Sequence, residues 1–399
     1  MPGQGTAYEA HGGAMSTTDA AVAAIRLTED ELQPYISHVS TRRWLSGPGL
    51  PGDSDLFTFE ELRREGLRTV ADATGDPAGL LREELRDQLV IGGLTDLHGR
   101  ERESVLLDGV TGEVSTTAFF PARPDLMDRT PLAPSLPTLV RFAAATDELT
   151  EVRGQFAAYA GRFGPTAVED ATRQLLTVFE EGTGGDVPTF WKIAALIRPL
   201  TLVAGPGTDS GLALDLPPRL LDQEFGRSHV VRFEDIDFPS TLTHAPTRRF
   251  LAETGLPEDG VLFHTDPDAP LPTLAEHRAD HLTALPPRAG HLIVLGHLIE
   301  DNTLVVDGET GEVLNWSERE GTLHPLNTDI STLAFTLWLL HRERRIDESL
   351  AHELTNTLYV QVAKTMIRAL STIDPTGTTT DADWHYWTEL FQDEVGGVL

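Results

Sequence analysis

The stretch Leu304 to Val313 reads L-V-V-D-G-E-T-G-E-V, and Val105 to Val114 reads V-L-L-D-G-V-T-G-E-V. In each, an apolar, β-branched run is followed by Asp-Gly and, two residues later, by Thr-Gly. Asp-Gly after a strand-like run marks a hairpin, because glycine takes the positive φ that a tight turn needs. The second glycine, Gly112 or Gly311, suits the left-handed residue of a bulged turn, with Glu-Val leading into the return strand. Read alone, each stretch is a hairpin tip without chemistry of its own. Read together, they say that the chain repeats itself, and repetition has to be settled before fold.

The repetition begins upstream. Residues 25–51 and 231–257 align without a gap and agree at nine of 27 positions: Arg26/Arg232, His38/His244, Thr41/Thr247, Arg42/Arg248, Arg43/Arg249, Leu45/Leu251, Gly49/Gly255, Leu50/Leu256 and Pro51/Pro257. The expected organisation is a tail over 1–24, a first domain over 25–203, a linker over 204–211 (A-G-P-G-T-D-S-G) and a second domain over 212–399. Two domains also suit 399 residues, more than one core usually serves.

Each unit reads in the same order. A short helix carrying Thr-Arg-Arg stops at Gly-Leu-Pro. Strand-like pieces follow at Leu56 to Phe59 and Val261 to His264, then at Gln88 to Leu94 and His291 to Ile299, completing a meander with the hairpin. Apolar helices are expected over Leu136 to Ala145 and Ile330 to His341. The first unit should break and restart its helix at Gly164-Pro165. In the second, Leu350, Leu354, Leu358, Val362, Met366 and Leu370 form one helical stripe. Trp191 and the pair Trp384 and Trp387 should pin the last helices to their cores. The fold class is α+β: two tandem domains, each a mostly antiparallel sheet with helices packed on one side.

Composition narrows function. With 31 basic and 62 acidic side chains the formal charge is −31. Such a surface repels nucleic acid and anionic lipid and favours encounter with basic partners. No basic stripe, and no apolar run of membrane-spanning length, is visible. Cysteine is absent, which removes thiolate chemistry and suits a reducing compartment. The first 24 residues lack the basic and apolar regions of a signal peptide and read as a tail.

The candidate chemistry is thin. Gly52-Asp53-Ser54-Asp55-Leu56 is like a serine hydrolase block, but no Asp-x-x-His partner lies near the C-terminus. His277 and His281 are spaced to share a metal, yet no third ligand is evident, so solvated histidines are expected. His291, His297 and His324 are expected to satisfy local hydrogen bonds. Asn315-Trp316-Ser317 matches a glycosylation acceptor without a secretion signal. No catalytic, cofactor or metal residue is therefore assigned. The paired arginines stand out in so acidic a chain. Either they clamp a carboxylate across an interface, or one arginine per pair ties its helix to an acidic group of its own domain, the preferred reading. Trp316, if exposed, would anchor an interface; it could equally be core.

The strings R-R-F-L-A-E-T-G-L-P at 248–257, L-V-V-D-G-E-T-G-E-V at 304–313 and P-L-N-T-D-I-S-T-L-A-F at 325–335 resemble the SUKH superfamily, in particular its fourth, actinobacterial immunity group. The resemblance runs from about Leu212 to the C-terminus. The first unit departs from it, with Ala133 where the second has Asn327 and Arg141 where it has Phe335. The resemblance implies two SUKH-like domains and a cytoplasmic, non-enzymatic immunity protein. It would neutralise a cognate toxin, a nuclease or deaminase of basic charge, by stoichiometric binding, without cofactor, nucleic acid or membrane. A scaffold or regulatory protein of a gene cluster is the alternative, and a serine hydrolase a third. The expected contact surface is the sheet face and hairpin side of the second unit, with Trp316, Asn327, Arg248 and Arg249 nearby, and Arg42 and Arg43 as the first unit's counterparts.

Overall fold

The computed structural model describes residues 24–396, apart from 53, 55, 76–78, 96–100, 261–262, 266–268, 280–284, 300–301, 351–352 and 379–384. The proposed tail up to residue 23, the first two residues of the strand expected over Val261 to His264, Trp384 and His281 lie outside the described residues. Two six-stranded antiparallel sheets dominate, each accompanied by helices, so the α+β class holds. The first sheet runs Phe57–Thr58, Leu89–Thr95, Glu101–Leu107, Val114–Thr117, Thr130–Ala133, with Arg68–Thr69 also paired to Leu89–Thr95. The second runs Asp259–Gly260, Phe263–His264, Leu292–Leu298, Asn302–Asp307, Val313–Ser317, Thr322–Asn327.

Local irregularities match between the sheets. The register shifts between Val90 and Gly92 and between Val294 and Gly296. A Cβ at Gly92 would sit 2.3 Å from the carbonyl oxygen of Thr58, and one at Gly296 2.4 Å from that of His264. At both bulges the neighbouring short strand approaches too closely for any side chain, so only glycine fits. The last strand of each sheet is an edge, and each carries a proline, Pro131 or Pro325.

The main helices start where the sequence supplies caps. Ser135 accepts from the Thr138 N–H with Pro137 in the first turn, opening Leu136–Thr150. Pro165 opens Pro165–Thr183, which ends on Gly184 in the left-handed region. The stripe expected to run unbroken from Leu350 is interrupted: Leu350 closes the helix Ile330–Leu350, and Thr355 caps a new helix, Asn356–Ile373, by accepting from the Leu358 N–H. A threonine that can satisfy an orphan N–H makes the restart favourable despite the continuing four-residue spacing.

One buried apolar cluster includes Leu45, Leu107 and Trp191 of the first half together with Leu251, Val306 and Trp387 of the second. Its keystone is Asn356–Ile373, which packs on Tyr386–Gly396 and Ile330–Leu350 on one side and on Thr189–Ile197 and Arg198–Val203 on the other. Val362, Met366 and Leu370 are fully buried; side chains of this size contribute roughly 1.5–3 kcal/mol each. The polar residues of the same helix reach the first sheet: Gln361 donates to the buried Glu103, Lys364 Nζ lies 3.3 Å from that carboxylate, and Arg368 donates to Thr95. The segment expected to be a linker is built in. Gly205–Pro206 pairs with Leu214–Asp215, and the Leu214 N–H donates to Ser331 Oγ at 3.0 Å.

Both sheets are also covered on their second face, against the expectation of helices on one side. Val70, Leu81, Leu85, Val90, Leu106 and Met127 form a small core behind the first sheet. Leu274, Ala289, Leu292, Val294, Val305 and Trp316 do so behind the second. The covering helices have four or five residues, too short to leave a periodic signature. No helix among the described residues is long and apolar enough to cross a membrane.

Because one core runs through both halves, calorimetry should show a single unfolding transition, with Val362→Asp lowering it as a whole. Two transitions, only one of them moved by the substitution, would mean that the halves are energetically separate.

Candidate functional site

The repeated hairpin is a fastening. Asp307 Oδ1 accepts from the N–H groups of Glu309 (2.9 Å) and Thr310 (3.1 Å), and Asp108 Oδ1 accepts from Val110 and Thr111, both at 2.8 Å. Burial alone would raise the Asp108 pKa, but the Thr111, Gln88 and Val110 hydrogen bonds outweigh it and hold the carboxyl below its usual value. The Gly308 carbonyl accepts from Thr243 and His244, and the Gly109 carbonyl from Ser37 and His38. Each hairpin tip is thereby bolted to the start of the helix Val39–Ser46 or Ala245–Glu253.

The glycines divide the work differently from the sequence expectation. Gly112 and Gly311 do take a left-handed φ, +81° in both. A Cβ there would also meet His38 or His244 Nδ1 at 2.3 Å. Gly109 and Gly308 are not among the positive-φ glycines. They are required because a Cβ would lie 2.1 Å from the Tyr35 carbonyl oxygen or 2.3 Å from that of Thr241. Each histidine is held in turn by Thr41 or Thr247 Oγ1 at 2.8 Å. The shared His-x-x-Thr spacing carried this signal, and the sequence reading gave it no role.

The arginine pairs split. Arg42 donates to the Ile36 carbonyl at 3.1 Å and to Glu29. Arg248 donates to the Leu242 carbonyl at 3.2 Å and to Asp235 at 2.9 Å, and its guanidinium lies over the Phe238 ring. The first arginine of each pair therefore ties its helix to an acid thirteen residues upstream, as the preferred reading has it. Arg43 and Arg249 are exposed; Arg249 donates to the Ser210 carbonyl.

A binding role for Trp316 and Asn327 needs side chains that reach solvent, and neither does: Trp316 is 1% exposed and Asn327 0%. Trp316 fills the small core behind its sheet. Asn327 is a buried junction. Its Nδ2 donates to Thr336 Oγ1 and Asp374 Oδ2, both at 3.0 Å, and its Oδ1 accepts from Trp387 Nε1 at 2.9 Å. Asp374, itself 1% exposed, also accepts from the Thr328 and Thr376 N–H groups and the Thr328 hydroxyl. In the first half, where Ala133 replaces the asparagine, Trp191 Nε1 donates to the Leu132 carbonyl at 2.7 Å. Both tryptophans find an acceptor, one on a side chain and one on the backbone.

The remaining candidates sit apart from one another. Ser54 Oγ accepts from the N–H groups of Leu56 and Phe57, a turn-closing role. His277 lies beside His297, ring centroids 5.3 Å apart. Among the described residues no group of three or more acidic or histidine side chains gathers as a metal would require.

Compared with known families, residues 216–393 match the model described as SUKH-4 immunity protein, less than half of the chain. The match supports the SUKH superfamily for the second half and an immunity function of the toxin-neutralising kind. No curated protein and no solved structure matches.

Asn327→Ala should lower stability by about 2–4 kcal/mol, since Trp387 and Asp374 each lose a buried partner; a urea midpoint unchanged within error would refute the junction. Acid is the second probe. Burial foremost holds the His385 pKa below its ordinary value, against smaller opposing effects of Thr376 and Asp374. His385 Nε2 donates to the Thr376 carbonyl at 3.0 Å, while the buried Nδ1 has no partner among the described residues. A histidine depressed in the fold contributes full stability above about pH 6.5 and loses it as pH falls through that value toward the folded pKa. The urea midpoint should therefore drop as pH falls below about 6.5, and His385→Gln should flatten that drop.

Proposed function

We propose that this protein is an immunity factor that neutralises a cognate polymorphic toxin, a nuclease or deaminase, by stoichiometric binding in the cytoplasm. The observation that carries the reading is the match of residues 216–393 to the SUKH-4 immunity model. The charge of −31 supports a basic toxin domain as the partner, since an acidic surface offers what an enzyme built for phosphate expects. The matching bulges, hairpin fastenings and arginine anchors support descent of both halves from one module, the first a divergent copy that supports or widens the binding surface. Arg43 and Arg249 remain the candidates for contact among the arginines, because they are exposed while their neighbours serve the fold.

Co-expression with the toxin domain encoded beside this gene should restore growth. The purified pair should co-elute at a fixed ratio and dissociate as salt rises. A toxin that kills regardless of this chain, and does not co-elute with it, would overturn the reading.

A further inference from the structure

A groove of about 660 Å³ opens in the first half between the Phe57–Thr58 strand and the helix Leu136–Thr150. Phe57, Phe59, Leu139 and Ala143 line it, with Asp147 and Glu151 among its polar residues. Counting from the helix-capping residues Ser135 and Asp329, positions 143, 144, 147 and 151 correspond to 337, 338, 341 and 345. In the second half that place is taken by the short helix Leu220–Phe225. The Phe225 ring lies 4.6 Å from His341, and Glu224 pairs with Arg345 at 2.8 Å and Arg342 at 3.3 Å. The same helix touches Leu256–Pro257, and Pro51, the counterpart of Pro257, lines the groove.

Two things differ in the first half. Leu337 and Trp338 are replaced by Ala143 and Ala144, which leaves room. The basic His341, Arg342 and Arg345 are replaced by Asp147, Glu148 and Glu151, which inverts the charge. Among the described residues Arg153 is the one basic side chain lining the groove; it pairs with Glu151, and Asp147 also has a partner. Arg26, the counterpart of the Arg232 that holds Asp222 at 2.7 Å, is kept and exposed.

We infer that this groove binds a short amphipathic helical segment of a protein partner, in the seat that Leu220–Phe225 occupies in the second half. The segment presents an aromatic anchor to the apolar floor and a lysine or arginine to Asp147 and Glu151. Residues 1–23 of the chain itself carry Glu9 and Asp19 and no lysine or arginine, the wrong charge for the seat. The inference goes beyond the immunity reading and stands whichever protein supplies the segment.

The second half supplies the probe: a fluorescein-labelled peptide of residues 216–229 with Glu224→Lys, titrated with the full chain and followed by anisotropy. It should bind at least about tenfold more tightly than the unsubstituted peptide. Ala144→Trp, at an exposed position, should weaken it at least about tenfold. The double variant Asp147→Lys, Glu151→Lys should turn the preference toward the unsubstituted peptide. No binding, equal binding of the two peptides, or indifference to both variants overturns the inference. Displacement by a peptide of residues 1–23 more effective than by the lysine peptide does so too, because the groove then belongs to the chain itself.

Discussion

Two-sided burial of the helix Asn356–Ile373 is the constraint from which the rest follows. Between Gln361 and Leu370 only Lys364 and Thr365 escape full burial. One side completes the second half; the other rests on the helix and turn that end the first. Apolar surface on both sides cannot be left to water in either half alone without a cost of several kcal/mol. The two sheets are therefore parts of one packed body, and the segment between them has no slack to give. That explains why Gly205–Pro206 is paired and why Asp329 and Ser331 reach back to hold Ala213 and Leu214.

Within that body, buried polar groups fix geometry. Asn327 and Asp374 join a strand end, the helices Ile330–Leu350 and Tyr386–Gly396, and the turn that follows Asn356–Ile373, and every bond is short and directional. A satisfied network of this kind selects one arrangement of helices where apolar packing alone would tolerate several. The first half does without it, closing the same corner with a tryptophan donated to a backbone carbonyl. Each half thus keeps a tryptophan at this corner but gives it a different acceptor.

Much of this was legible in the residues. Hairpins, helix stops at Gly49 and Gly255, and the long helices follow from local signals that act over three or four residues. The short helices behind each sheet were not, since a four-residue helix such as Leu274–His277 shows no period. Burial on both sides of one helix was hidden too, because an apolar residue gives no sign of which neighbour it will meet. The site was read least well. Asn327 and Trp316 drew notice as distinctive residues in a distinctive segment, but such residues are as often required by the interior as by a partner. For Arg42 and Arg248, also expected near the contact surface, the ties that form are the local ones, because an arginine with acids upstream in its own domain has a partner within reach. The groove of the first half left no motif; it becomes visible only when the corresponding corners of the two halves are laid side by side.

The prolines of the border strands carry a consequence for how this molecule meets others. Pro131 and Pro325 each withhold a main-chain donor from the open margin of a sheet. At the opposite margins the strands are two residues long. A visiting chain therefore finds little main chain to zip onto, and copies of the protein have little means of stacking into fibres. Association has to be negotiated through side chains, whose shapes and charges can tell one visitor from another.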